Sequence, residues 1–262
     1  MIGVGESRKV RHGRGARGMR QTSVWLKDKA RRGGRGGGQP GLDRERVTGA
    51  AVRLLDAEGL ARFSMRRLAA ELKVTPMSVY WYVDTKDDLL ELALDAVMGE
   101  FRLPEPDGDQ DWRDQLRVLA REYRGLLVRH PWVSPLAGTF LNIGPNYLAF
   151  SRTVQGVVRR TGVPEHRVTS VIAAVFQFVY GYGTLEGHFL AGVAASGMAP
   201  DDYFQHAMNA VSDIPRAAEV IEESKKIMAA RGGETVAEMM ERDFEYALDL
   251  LTAGIEVMVA RG

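Results

Sequence analysis

Residues 64–86 read SMRRLAAELKVTPMSVYWYVDTK, two short helices that meet at a tight turn, which is the shape of a DNA-reading helix-turn-helix. Ser64 is a good N-cap, and Leu68, Ala69 and Leu72 follow Met65 at the three-and-four spacing of an apolar helix face, so a helix is predicted over about 65–72. Val74 plugs the corner, Thr75 caps a second helix, and Pro76 sits at its first position, where a missing N–H costs nothing. The core side of that helix is Val79 with part of Tyr80 and Val83, which leaves Met77, Ser78, Trp81 and Tyr82 with no core to fill. Arg66 and Arg67 stand in the first turn of the preceding helix. Cations there oppose the helix dipole, so an anion such as a phosphate backbone must favour them.

A helix pair with an aromatic run is, by itself, more often core packing than a DNA reader. The flanks decide. Upstream, LDRERVTGAAVRLLDAEGLARFS (42–64) puts Val47, Ala50, Ala51, Leu54 and Leu55 on one stripe with Gly59 as a stop. The result is a three-helix module of homeodomain type. Downstream, Thr85 caps a fourth helix, expected over about 87–101, with Asp87 and Asp88 in its first turn and Leu89, Leu90, Ala93, Leu94, Val97 and Met98 on its buried side. Lys86 lies just beyond the reading helix, placed for a phosphate.

VYWYVDTKDDLLELALD (79–95) behind an SMRRLAAEL helix resembles the tetracycline-repressor (TetR) family of bacterial regulators, strongly over about 43–101. The stretch DWRDQLRVLAREYRGLLVRHPWV (111–133) resembles the C-terminal domain of the same family more loosely. The resemblance implies an all-α chain: a helix-turn-helix domain over 42–101 and a ligand-binding and dimerisation domain over 102–262, behind a basic arm over 1–41.

Composition agrees with that organisation. The 262 residues, 45% of them apolar, suffice for one small and one larger core, and the absence of cysteine fits a reducing cytoplasm. Apolar stretches such as VTSVIAAVFQFVYGYGTL (168–185) are punctuated by Gly, Gln and Thr, so no membrane span is expected, and the N-terminus shows no signal-peptide core. Charge is unevenly placed. Residues 1–39 carry eleven Lys and Arg against Glu6 and Asp28, a balance of +9, whereas the whole chain is +1 and the remainder therefore −8. A glycine-rich arm of that charge ahead of a homeodomain-like module can enter an adjacent minor groove, with Arg31, Arg32 and Arg35 nearest. A solubilising tail, or a chain that starts at Met19, is the other reading. Trp25 in SVWL (23–26) is apolar for a tail and is expected to pack on the body.

Beyond LPEPDGDQD (103–111), helices are expected from Trp112 to about His130, Pro145 to Arg160, Pro164 or Glu165 to about Ala195, Asp201 to Val211, Arg216 to Ala230 and Glu234 to Val259, with no strand. The two most apolar, around 168–182 and 244–258, exceed what one bundle buries. In the family the corresponding pair joins two subunits, and a lone helix-turn-helix reads only a few base pairs, so a homodimer on a near-palindromic operator is expected.

From the resemblance, Arg66 takes the base-reading position at the start of the second helix, where an arginine can pair with guanine in two places. Met77 and Ser78 face bases from the reading helix, while Thr75, Tyr80, Trp81, Tyr82 and Lys86 hold phosphates. Lys73 stands where a glycine is common, which asks for a left-handed backbone there.

The family couples a small-molecule inducer to DNA through the fourth helix. The candidate pocket wall is Tyr123, Trp132, Phe140, Asn142, Asn146, Tyr147, Phe176, Gln177, Tyr180, Glu186 and His188, with Asn142 and Asn146 favoured because amides in the apolar stretch FLNIGPNY (140–147) need partners. Aromatics at helical spacing are more often core than pocket. The family's metal-binding histidine falls where this chain has Leu136-Ala137-Gly138-Thr139, so no metal, no cofactor and no tetracycline are expected, although Glu186 in TLEG aligns with an acidic group near that site. An enzyme is not expected either, because GGRGGG (33–38) lacks the Lys-Ser/Thr ending and preceding strand of a phosphate loop. The alternative is a ligand-independent architectural DNA binder, which the acidic C-terminal two-thirds opposes.

Overall fold

A computed structural model describes residues 23–27, 41–105, 110–212 and 218–261. Ten α-helices lie among the described residues: α1 (Arg44–Glu58), α2 (Met65–Glu71), α3 (Pro76–Tyr80), α4 (Lys86–Met98), α5 (Trp112–Arg129), α6 (Pro145–Arg160), α7 (Val168–Ser196), α8 (Pro200–Ser212), α9 (Ala218–Arg231) and α10 (Val236–Ala260). Two 3₁₀ turns, Pro131–Leu136 and Glu165–Arg167, precede α6 and α7. No strand occurs among the described residues, so the fold is all-α.

The caps that punctuate the sequence make the bonds they imply. Asp43, Ser64, Thr75 and Thr85 accept the N–H groups of Arg46, Arg67, Ser78 and Asp88 at the starts of α1 to α4, and Thr235 does the same for Glu238 in α10. Each satisfies a donor that the first helical turn leaves unpaired. At the α2–α3 corner Lys73 has φ +56, the left-handed backbone its position requires, while Val74 N–H closes back on the Ala69 carbonyl at 2.9 Å. The reading helix is shorter than its pattern suggests. α3 ends at Tyr80, and Trp81 and Tyr82 form a turn before the Thr85 cap.

Val47, Ala50, Ala51, Leu54 and Leu55 of α1, Leu68 and Ala69 of α2, Val79 and Val83 pack on α4, and the same core runs on without a break into Leu116, Leu119, Leu126 and Leu127 of α5. α4 is the shared element. Every residue from Asp88 to Asp95 is buried, the acidic Asp88, Glu91 and Asp95 included, where periodicity predicts a single buried face. Its other faces are covered by residues 23–27 and by the start of α6. Val24 is buried and Trp25 packs against the core, as expected of SVWL.

In the larger domain α7 crosses α5 closely because Gly187 leaves room: a Cβ there would stand 3.0 Å from the Leu127 carbonyl oxygen. α5 and α10 are joined by a ladder of ion pairs, Arg113–Glu256, Arg117–Asp249, Arg121–Glu245 and Arg124–Glu241, whose numbering runs in opposite senses on the two helices. The exposed rungs add little each. α7, with mean hydropathy 1.4 over its most apolar window, is by length and composition able to cross a membrane, which the punctuation of its sequence had argued against. It packs instead across α5, α6 and α10, with an exposed apolar side.

Candidate functional site

The first candidate surface is the helix-turn-helix. Arg66 on α2 is exposed, Met77 stands 70% exposed on α3, and Ser78 beside it is half-buried. Tyr80 and Trp81 are exposed, and Tyr82 is turned against the core. Thr75 is exposed, but its hydroxyl is held by the cap and by the Ser78 hydroxyl at 2.9 Å.

Two cations sit differently from their sequence roles. The Arg67 guanidinium pairs in two places with Glu58 at the end of α1, so a carboxylate of the module itself offsets its unfavourable helix-dipole position. Lys86 is the first residue of α4. Its ammonium donates to the Phe63 carbonyl at 2.9 Å and lies 5.4 Å from the centre of the Phe63 ring, so one of its three protons ties α4 to the α1–α2 link. Arg31, Arg32 and Arg35 lie outside the described residues.

The second candidate is a cavity of about 600 Å³ between α4, α5, α6 and α7, lined by Leu94, Met98, Tyr123, Val133, Ala137, Gly138, Asn142, Tyr147, Phe150, Ser151, Val154, Ile172, Ala173, Phe176, Gln177 and Tyr180. Six of the eleven predicted wall residues are among them: Tyr123, Asn142, Tyr147, Phe176, Gln177 and Tyr180. Tyr123, Tyr147, Phe150 and Phe176 form a ring cluster with centroids 5.5–6.5 Å apart. Burial pushes the Tyr123 phenol well above its ordinary range, so it stays a neutral hydroxyl. Tyr180 is already donating, to the Ser134 carbonyl at 2.8 Å. Asn142, at φ +49, turns the loop that closes one side.

The other five stand elsewhere. The Trp132 indole N–H donates to Asp56 of α1 at 2.6 Å, which places it in the junction between domains. The Asn146 amide is spent on the Asp95 carbonyl at 3.0 Å, and Glu186 is held by Arg124 in a largely buried pair at 2.6 Å. Phe140 packs against the core outside the lining, and His188 is exposed on α7. Leu94 and Met98 were legible only as core, since helical spacing cannot distinguish a side chain that meets a cavity from one that meets another side chain.

Between the two surfaces lies a polar knot. His130 Nδ1 is 2.6 Å from Asp56 of α1 and its Nε2 is 3.1 Å from Glu100, just past α4, while Arg129 reaches Glu100 at 3.5 Å. Burial disfavours the imidazolium, but the hydrogen bonds and charges of Asp56 and Glu100 outweigh it and the His130 pKa is raised.

Two family profiles match the chain: "Bacterial regulatory proteins, tetR family" over residues 47–93 and "Tetracyclin repressor-like, C-terminal domain" over 103–259. The chain is 31% identical over 94% of its length, and 89% of the relative's, to the HTH-type transcriptional repressor DrrR1 of Streptomyces coeruleorubidus. It is 43% identical to an HTH-type transcriptional regulator of Saccharopolyspora erythraea over 55% of its own length, a match that spans 60% of that relative. Among solved structures it resembles the protein ActR of Streptomyces coelicolor in complex with actinorhodin, at 25% identity and TM-score 0.64 over 83% of this chain and 96% of that one.

Proposed function

The chain belongs to the TetR family of bacterial regulators, and from that premise we propose that it is a homodimeric transcriptional repressor which a small molecule in the α4–α7 cavity releases from a near-palindromic operator. One observation carries the reading: Leu94 and Met98, which wall the cavity, belong to the helix that begins six residues after the end of the reading helix. A ligand that fits only one position of α4 therefore shifts the spacing of two reading helices. In this reading Arg66, Met77 and Ser78 meet base edges, and Thr75, Tyr80, Trp81, Tyr82 and Lys86 hold backbone. The arm with Arg31, Arg32 and Arg35 extends the footprint, and the protein works in the cytoplasm, where the chromosome is.

The lining favours a largely apolar, ring-bearing molecule with a few polar groups, because aromatic walls alternate with Asn142, Ser151 and Gln177. For the dimer, Leu185 on α7 and Tyr246, Leu250 and Val257 on α10 are exposed apolar side chains on the two helices that the family pairs. The test is a duplex selected by the protein from a random pool, followed by anisotropy while compounds are added, with actinorhodin first. Loss of binding with one compound class supports the reading. Binding that ignores both compound and sequence favours the architectural alternative.

A further inference from the structure

Residues 23–27 are seated on α4. The Ser23 hydroxyl and the Val24 N–H donate to the two carboxylate oxygens of Glu91, the second at 2.9 Å, and the Lys27 ammonium reaches Asp88 at 2.5 Å and Asp84 at 3.8 Å. Asp88 and Glu91 are 3% and 4% exposed, and Val24 is 4% exposed, so this is a buried seat. Charge-assisted bonds to two buried carboxylates are stronger than an exposed pair and specify one register. Trp25 faces a small gap bounded also by Leu94, Met98, Asn142 and Tyr147, the four residues that this gap shares with the larger cavity.

Of the eleven cations of residues 1–39, Lys27 belongs to this segment, six precede it and four follow it in sequence. Its Lys27 end meets Asp84, three residues beyond Trp81. We propose that residues 23–27 form a strap whose seat on α4 links the contribution of the flanking basic sequence to DNA affinity with the position of α4. This rests on the DNA-regulator reading above. A seated strap lowers the entropic cost of bringing those cations to DNA, and a shift of α4 moves the seat.

The test uses the full chain and two variants that keep every arm charge, Ser23→Ala and Glu91→Gln. Amide exchange is followed at Val24 and, as a control of folding, at Leu119 in α5. Affinity is measured for the duplex that the wild-type chain selects from a random pool. The strap predicts Val24 exchange at least tenfold faster in both variants with Leu119 unchanged, and duplex binding five- to tenfold weaker at each salt concentration. Unchanged Val24 exchange removes the seat, and faster exchange with affinity within twofold of wild type removes its role; either overturns the proposal. A wild-type chain that selects no duplex overturns the DNA-regulator reading instead, and Val24 exchange still decides the seat.

Discussion

The Asp95 carboxylate on α4 accepts the backbone N–H of Tyr147 in the first turn of α6 at 2.9 Å, so one helix supplies the cap of another. Gly144, at the N-cap position of α6, makes no side-chain cap, and the Asn146 amide answers with a bond to the Asp95 carbonyl at 3.0 Å. Tyr147, the donor of this link, and Leu94, the neighbour of its acceptor, both line the cavity. A ligand in this cavity would therefore meet α4 through a hydrogen-bonded joint as well as through packing.

Asp95→Ala removes the acceptor and is expected to destabilise the chain by about 1–2 kcal/mol, the scale of a lost N-cap. Asp95→Asn keeps an acceptor. Burial, the largest influence, raises the Asp95 pKa despite the bonds from Tyr147 and Asn146, so the neutral isostere costs less than the alanine. Urea unfolding of both variants decides, and an asparagine as damaging as alanine would count against a capping role.

Gly144 is a close approach. A Cβ there would stand 2.2 Å from the Asp95 carboxyl carbon, which is itself buried. Gly144→Ala is expected to cost about 1–3 kcal/mol by overpacking and to break the same joint. A melting temperature unchanged from wild type would contradict the geometry.

His130 sets a pH dependence. Its folded pKa is raised above the ordinary value of 6.5, so its contribution is fully present below about pH 6.5 and fades as pH rises through the higher folded value. The groups that face it are Asp56 from α1, Glu100 after α4 and the Trp132 ring, with Arg129 on Glu100. The stability difference between wild type and His130→Gln should shrink as pH increases from 6 upward. A difference that grows over that range refutes the assignment.

Arg66→Ala should relax base preference at one operator position and cost about 1–3 kcal/mol on the selected duplex, with little change on scrambled DNA. Equal losses on both would make Arg66 a backbone contact. Lys86→Ala, by contrast, loses the Phe63 tie and is expected to lower the stability of the reading domain as well as its affinity. Its melting curve separates the two effects.

Leu250→Arg and Val257→Arg place charge on the exposed apolar side of α10. In a dimer built there the variants should sediment as folded monomers and bind the operator at least tenfold more weakly. Wild-type mass in both variants would move the interface elsewhere.

The DNA-reading domain was the most legible part because its signals are local. Ser64, Thr75 and Thr85 cap bonds three residues away, and Lys73 adopts φ +56 because its own turn requires it. The cavity was legible by half. Tyr123, Phe176 and Tyr180 are candidate wall residues in the sequence and do line it, but Trp132, Asn146 and Glu186 are taken by Asp56, Asp95 and Arg124, partners 76, 51 and 62 residues away. Spacing along one helix holds no information about which distant side chain claims a polar group.

By itself the sequence determined an all-α chain, the helix-turn-helix with its caps and corner, and the uneven division of charge between arm and body. These depend on hydrogen bonds within a turn or two and on apolar periodicity, which are properties of neighbouring residues. Only the tertiary structure decided that α4 is buried on every side over residues 88–95, that Asp95 caps α6, that Glu91 and Asp88 seat residues 23–27, and that Leu94 and Met98 face a cavity. Each of those depends on where separate helices cross, and the crossing is fixed by packing of the whole core rather than by any one segment.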